Sequence, residues 1–296
     1  MLSGRLGLET ARVPYSDRHG LLWLERGRLY IEDGVLTFAT AGYGELKAGT
    51  YQLPFQTVSN VLVAPGCVIT HDAVRMLSRH GTGVIFIGSD GVRYYASMPF
   101  GQDDSDLARR QVTLWANRRT RLQVAKLMYA QRLDDEIVGE DIEVLRGIEG
   151  ARMKETYRCL SEQFGVEWSG RLYDRNNPSA DDPINTAINH ASSAVRAAAM
   201  IAVSATSTIP QLGFIHETSS EAFALDIADL FRSSFMLPIA FRTVARQGLG
   251  KKYDLERTVR KVLGKELRRN KIIPAMIESI KEVLSIDDRS NHSESS

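Results

Sequence analysis

The sequence predicts an α+β fold, with a small β-rich N-terminal domain followed by a larger all-α domain. Three observations carry this. Residues 21–63 alternate apolar and polar side chains in short runs. Beyond residue 106, nearly every apolar pattern recurs at three- and four-residue spacing. Between them lies SMPFGQDDSD, residues 97–106, where Pro, Gly and a run of acids mark a linker. The expected organisation is a β-rich domain over 1–98, a linker over 99–106, a helical domain over 107–285 and a disordered polar tail over 286–296. A chain of 296 residues, 43% hydrophobic, has the length of roughly two domains and the apolar content to bury a core.

In order, LLWLERGRLYIEDGVLTFAT and TYQLPFQTVSNVLV read as strands, with Asp33-Gly34 as a hairpin turn. Pro65-Gly66 is a turn. Thr70 or Asp72 caps a short helix that runs through Arg79 and is ended by Gly81. VIFIG is a buried-strand run, Ser89-Asp90-Gly91 a second hairpin turn and VRYYAS the last strand of the domain. In the helical half, LARRQVTLWANRRTRLQVAKLMYAQRL has helical apolar spacing. EWSGRLYDRNNPSADDP, residues 167–183, is a loop. AINHASSAVRAAAMIAVSA is rich in small residues, which suits close packing inside a bundle.

Several classes of chemistry are excluded. No GxxxxGK[ST] phosphate loop, no GxGxxG after a strand and no GxSxG elbow is present. Cys67 and Cys159 are far apart and outside any CxxC, as expected of reduced thiols in a cytoplasmic protein. No apolar run approaches the length of a transmembrane helix, and the opening stretch lacks the apolar core of a signal peptide.

The chemistry concentrates in GFIHETSSEAFALDIADLFR, residues 213–232. FALDIADLF reads as helix, with Phe223, Ile227 and Leu230 as its apolar stripe. Asp226 and Asp229, three apart, are neighbours on one face. Carboxylates beside an apolar stripe are costly to bury unless they meet a cation. One imidazole, His216, with carboxylates suits Mg²⁺ or Mn²⁺ better than structural Zn²⁺. A solvated helix face with a nearby histidine fits the same residues.

Upstream, LRGIEGARMKETYRCLSEQFG, residues 145–165, holds Glu149 between Gly147 and Gly150, flanked by Arg146 and Arg152. Helix is expected from Gly150 onward, with Met153, Tyr157 and Leu160 on one stripe. Glu149 would then sit at the positive end of the helix dipole. The glycines suggest close approach of a ligand or another helix.

RGIEG-R---TY, GFIH and D-IADL-R, in this order and spacing, resemble the CRISPR spacer-acquisition integrase ("Cas one") family. PGCVITHDAVRML, GVRYYAS, GVEWSGRLYD and DPINTAINHA resemble its type I-E branch. The likeness runs from about residue 15 to about residue 285. It implies a metal-dependent DNA integrase and endonuclease in which Glu149, His216 and Asp229 hold Mg²⁺ or Mn²⁺. Asp226 is then a further acid of the site, as a second ligand or as the group that orients His216 or a water. It also implies a homodimer supported by the N-terminal domain, a small partner protein ("Cas two") and, as substrates, prespacer DNA and the CRISPR leader-repeat. The need for a host DNA-bending protein stays open. A stand-alone nuclease on branched DNA and a non-catalytic DNA-binding scaffold are the alternatives. Because imidazole coordinates only when neutral, activity is expected to fall in mild acid. The chain departs from the type I-E pattern at His216-Glu217-Thr218-Ser219, where His-Thr-Gly is common, and at Arg196, where an aromatic residue is common.

The net charge of +1 conceals an asymmetry. Between Pro238 and Ile273 stand eleven basic residues and three acidic ones, a local net of +8. Arg242, Arg246, Lys251, Lys252, Arg257 and Arg260 head this run, on segments that read as helix, and suit phosphate contacts. A smaller cluster, Arg109, Arg110, Arg118, Arg119 and Arg121, fits nucleic acid and plain helix surface equally. Arg232, three past Asp229, is placed for a phosphate or for a surface role. Tyr173 lies in GRLYD, which resembles a family segment near the bound DNA end, and a core tyrosine fits as well. Asn185 and Asn189, four apart on a helix, suit DNA or local capping. His190 reads as structural, His71 and His80 receive no chemistry, and Trp23, Trp115 and Trp168 read as core.

Overall fold

The computed structural model describes residues 20–44, 46–97, 105–133, 141–171, 182–247 and 254–286. Tyr173, Lys251, Lys252, most of the expected linker and nearly all of the expected tail lie outside these. The architecture is α+β. The chain divides into two compact units, one from Met1–Gly88 and Tyr95–Ser105, the other from Ser89–Tyr94 and Asp106–Ser296. No described helix is long and apolar enough to cross a membrane.

The first unit contains strands β1 (Leu21–Leu24), β2 (Gly27–Glu32), β3 (Val35–Thr40), β4 (Gly49–Gln52), β5 (Asn60–Val63), β6 (Val68–Ile69) and β7 (Gly83–Ile87), with helix α1 (His71–Arg79). Strand β8 (Tyr94–Ser97) follows. One sheet has the order β4-β3-β2-β6, and the hairpin expected at Asp33-Gly34 is present. Glu32 pairs with Val35, and both turn residues have positive φ (49° and 79°), the left-handed pair such a two-residue turn requires. The other sheet has the order β1-β5-β7-β8, and β1, β5 and β7 run parallel. All four residues of β5 are buried, as expected of a central parallel strand covered on both faces. Of the two candidate caps for α1, Thr70 is the one that accepts a hydrogen bond from the Ala73 amide. Leu29, Leu36, Phe38, Val61, Leu77 and Val84 form the centre of this core.

The second unit is helical: α2 (Asp106–Ala116), α3 (Arg118–Leu133), α4 (Ile142–Phe164), α5 (Pro183–Ala205), α6 (Ala222–Leu230), α7 (Leu237–Gln247), α8 (Leu255–Arg269) and α9 (Ile272–Leu284). The small-residue run is the central helix, α5, which packs against α6, α7, α8 and α9. Its alanines at 187, 191, 194, 198 and 202 are fully or almost fully buried, and their missing side chains let the neighbours approach. Ser89-Asp90-Gly91 forms a 3-10 turn that belongs to this unit. It packs against α8 where Gly264 leaves no room for a Cβ beside Asp90, and Arg268 pairs with Asp90 at 2.9 Å.

One expectation is corrected. Helix α4 starts at Ile142, not Gly150, because the Asp141 side chain caps it by accepting from the Val144 amide. Glu149 therefore lies two turns inside the helix, and the dipole argument for it falls. A Cβ on Gly147 or Gly150 would meet nothing within 4 Å, so no neighbouring helix demands these glycines.

Candidate active site

Helix α6 carries both aspartates, and its apolar stripe of Phe223, Ile227 and Leu230 is buried as the spacing predicts. The two carboxylates end in different surroundings. Asp226 is 1% exposed. One of its oxygens accepts from the Phe214 and Ile215 amides at 2.6 and 3.1 Å. The other accepts from the His216 amide at 3.0 Å and lies 2.7 Å from His216 Nδ1. Asp226 thus shapes the backbone that carries the histidine and holds its ring. This hydrogen bond raises the His216 pKa above its ordinary value, against the opposing effect of burial. With Asp226 ionised, Nδ1 carries the hydrogen in the neutral ring. Nε2 then keeps its lone pair, 4.0 Å from the Asp229 carboxylate.

The His216 loop is tied down by side chains of α2, α3 and α4. Gln111 donates to the carbonyls of Ile209 and Leu212 and accepts from the Ile209 amide. The Trp115 indole donates to the Gly213 carbonyl, Arg121 to that of Phe214 and Arg146 to that of Ile215. Gly213 is required by packing, since a Cβ there would strike the His216 carbonyl and Ala222. Glu217, which adds a charge beside the histidine, is met by Arg121.

Asp229 opens instead into a cavity of about 670 Å³ whose wall also carries Glu149, His216, Tyr157 and Trp168. Between Asp229 and Glu149 stands Arg132, from the end of α3. Its guanidinium lies 2.7 Å from Glu149 and 3.3 Å from Asp229, and its side chain is 6% exposed. Arg232 approaches the other oxygen of Asp229 at 3.4 Å and donates to the Tyr157 hydroxyl at 3.0 Å. It begins the π-helical turn Arg232–Met236 that joins α6 to α7. Burial, reinforced by the Glu149 charge, pushes the Tyr129 phenol on the same wall up to about 12. The Tyr157 ring stacks on Trp168, 4.4 Å between centroids and 10° from parallel.

The structure therefore brings Glu149, His216 and Asp229 to one cavity and sets Asp226 behind the histidine. Among the described residues, no three His, Cys, Asp or Glu side chains form a ready group for a metal. The Arg132 guanidinium contacts both Glu149 and Asp229. The donor set still fits a divalent cation, since two carboxylates already meet on a positive charge and an imidazole nitrogen lies 4.0 Å from one of them.

Sequence reasoning missed Arg132 and Tyr129 and favoured core over a base-stacking platform for Trp168. A signal for Arg132 was present. It lies three and four residues past Tyr129 and Met128, both on the buried stripe of α3, so its charge needs partners. Asn185 and Asn189 both accept from Arg171, which pins the loop after Trp168 to α5. His190 is half-buried beside Glu256, and burial lowers its pKa, in keeping with a structural role.

Of the basic run, Arg246, Arg257, Lys261 and Lys265 are exposed, the last three at four-residue spacing along α8. Arg260 pairs with Glu256, and Arg242 approaches Glu266 at 3.7 Å. In the smaller cluster, Arg110 donates to the Leu284 carbonyl, so that part of it is structural.

Fold and site together define an α+β protein with an acid–imidazole–arginine cavity in its helical unit. The chain belongs to the family described as "CRISPR associated protein Cas1", whose model matches residues 21–138 and 128–278. It is 34% identical over 275 residues to the CRISPR-associated endonuclease Cas1 of Geobacter sulfurreducens, spanning 92% of this chain and 87% of the relative. The CRISPR-associated endonuclease Cas1 of Escherichia coli K12 is 32% identical over the same spans. The solved TtCas1-DNA complex superposes with a TM-score of 0.82 at 30% identity, covering 92% of this chain and 99% of that one.

Proposed function

We propose that this chain is a metal-dependent DNA integrase and endonuclease of CRISPR adaptation, of the type I-E branch. It inserts prespacer DNA into the leader end of a CRISPR array by attack of a 3′-hydroxyl on a phosphodiester. The observation that carries this is the convergence of His216 and Asp229, from one stretch of the chain, with Glu149, from a distant one, on one cavity whose wall also carries Arg132, Arg146, Arg171 and Arg232. A scaffold has no need of that arrangement.

In this reading Glu149, Asp229 and Nε2 of His216 hold Mg²⁺ or Mn²⁺. Such an ion, when bound, polarises the target phosphate and offsets charge on the pentacoordinate centre. Asp226 is a positioning residue: it presents Nε2 to the cavity and keeps the ring from turning. Arg232 is held by Asp229 and Tyr157 at the cavity wall, where its remaining donors suit a phosphate oxygen. The stacked Tyr157 and Trp168 shape the wall on which a splayed nucleotide would rest. Arg257, Lys261 and Lys265 supply exposed charge for the DNA backbone. The assembly is a homodimer supported by the N-terminal domain, joined by the small "Cas two" partner and acting in the cytoplasm.

The test is strand transfer on branched DNA bearing a free 3′-hydroxyl, with Mn²⁺ or EDTA. Metal-dependent joining, lost in Glu149→Ala, His216→Ala and Asp229→Ala with DNA binding kept, is expected. Joining that survives one substitution removes that residue from the site. Nicking without joining favours a stand-alone nuclease, and chelator-insensitive binding without turnover favours a scaffold.

A further inference from the structure

Arg132 is the least expected charge in the cavity. It lies at the end of a helix whose stripe of Thr120, Val124, Ala125, Met128 and Tyr129 is buried, and its own side chain is almost as deeply covered. Its guanidinium bridges Glu149 on α4 and Asp229 on α6, while its Nε is buried without a hydrogen-bond partner. An arginine confined in this way, with one donor unmet, is held by the two carboxylates rather than by a full set of hydrogen bonds. Asp229 has a second cation in Arg232, so it keeps a partner when Arg132 lets go.

We propose that Arg132 is a built-in stand-in for the divalent cation, holding Glu149 and Asp229 in the metal-free protein and competing with the metal for them. This rests on the metal-site reading above. The reasoning is electrostatic. Two carboxylates facing one cavity repel each other, and a guanidinium between them removes that cost. A divalent ion placed between the same carboxylates meets the Arg132 charge within a few ångströms, in a part of the protein where water screens poorly. Metal binding therefore requires Arg132 to leave at least one of its two partners. The arginine keeps the two carboxylates ordered and weakens the site's affinity for metal.

The experiment is Mn²⁺ titration of the full-length protein, read as free Mn²⁺ by electron paramagnetic resonance. Wild type, Arg132→Gln and Arg132→Lys are compared, each with and without Glu149→Ala. Arg132→Gln is expected to bind Mn²⁺ at least about tenfold more tightly than wild type, and Arg132→Lys to stay near wild type because it keeps a cation. Unchanged or weaker binding by Arg132→Gln, with Glu149 still required, overturns this proposal and leaves the metal site standing. Affinity indifferent to Glu149 in both backgrounds overturns the metal site, and this proposal with it. A measurement on wild type alone covers the case in which Arg132→Gln does not fold: a crystal structure with Mn²⁺ bound. Arg132 parted from Glu149 or Asp229 supports the competition, and both ion pairs intact beside the bound Mn²⁺ overturns it.

Discussion

The shelf beneath His216 and the cavity floor around Asp229 are built from two carboxylates of one short helix, yet they solve opposite problems. Asp226 is met by three backbone amides and an imidazole, all fixed by the local fold. Asp229 is met by two arginine side chains, Arg132 and Arg232. A charge satisfied by backbone donors is an anchor, and its loss leaves several buried donors unpaired. A charge satisfied by side-chain cations is exchangeable, since another cation can take their place. The comparison teaches that partners, more than burial, separate a carboxylate that holds a site together from one that is free to serve it.

The comparison predicts unequal costs. Asp226→Ala is expected to destabilise the protein by about 3–5 kcal/mol, because it strips a buried charge from four donors. Asp229→Ala should cost only about 1 kcal/mol, since Arg132 retains Glu149 and Arg232 retains Tyr157. Urea denaturation of both variants in EDTA measures this, and equal losses would break the distinction.

Next in size is Gly213→Ala, which forces a methyl group against the His216 carbonyl and Ala222. A loss of about 1–3 kcal/mol is expected by the same denaturation assay. A loss near zero would show that the loop is not clamped as tightly as its hydrogen bonds imply.

A smaller effect concerns pH. The folded-state pKa of His216 is raised, through its hydrogen bond to Asp226. Its imidazolium form therefore adds stability that is fully present below the unfolded value and is lost as pH rises through the folded one. In EDTA, the wild-type melting temperature should fall more than that of His216→Asn between about pH 6 and pH 8. Parallel curves would remove the imidazole–carboxylate pair from the shelf.

The smallest change in stability belongs to a third region, the exposed face of α8. Replacing Arg257, Lys261 and Lys265 together with alanine should leave stability within about 0.5 kcal/mol. DNA binding should weaken, and the slope of log affinity against log salt should shrink by about 0.9 for each phosphate left without its cation. An unchanged slope would return these residues to ordinary helix surface.

Much of the fold was legible because its signals are local. Asp33-Gly34 permits the left-handed backbone of a two-residue turn, so the hairpin could be read from two residues. The run of alanines in α5 can approach other helices closely wherever it packs. Phe223, Ile227 and Leu230 recur at helical spacing, so one face of α6 had to be buried. The start of α4 was misread because helix was expected only from Gly150, after the glycine-flanked Glu149. The cap that begins the helix, Asp141, lies two turns before Glu149 and outweighs the glycines.

By itself, then, the sequence determined the type of most strand and helix segments, where the hairpin turns, and that His216, Asp226 and Asp229 are chemically suited to one site, to which the family resemblance adds Glu149. Only the tertiary structure decided the parallel order of β1, β5 and β7, because strand direction depends on partners distant in sequence. It also decided the division of labour in the site. Asp226 and Asp229 differ by only about 60° around one helix. Whether a carboxylate there meets backbone amides or arginines depends on what other segments bring to each side. Arg132 arrives from far along the chain, and no local pattern encodes its meeting with Asp229.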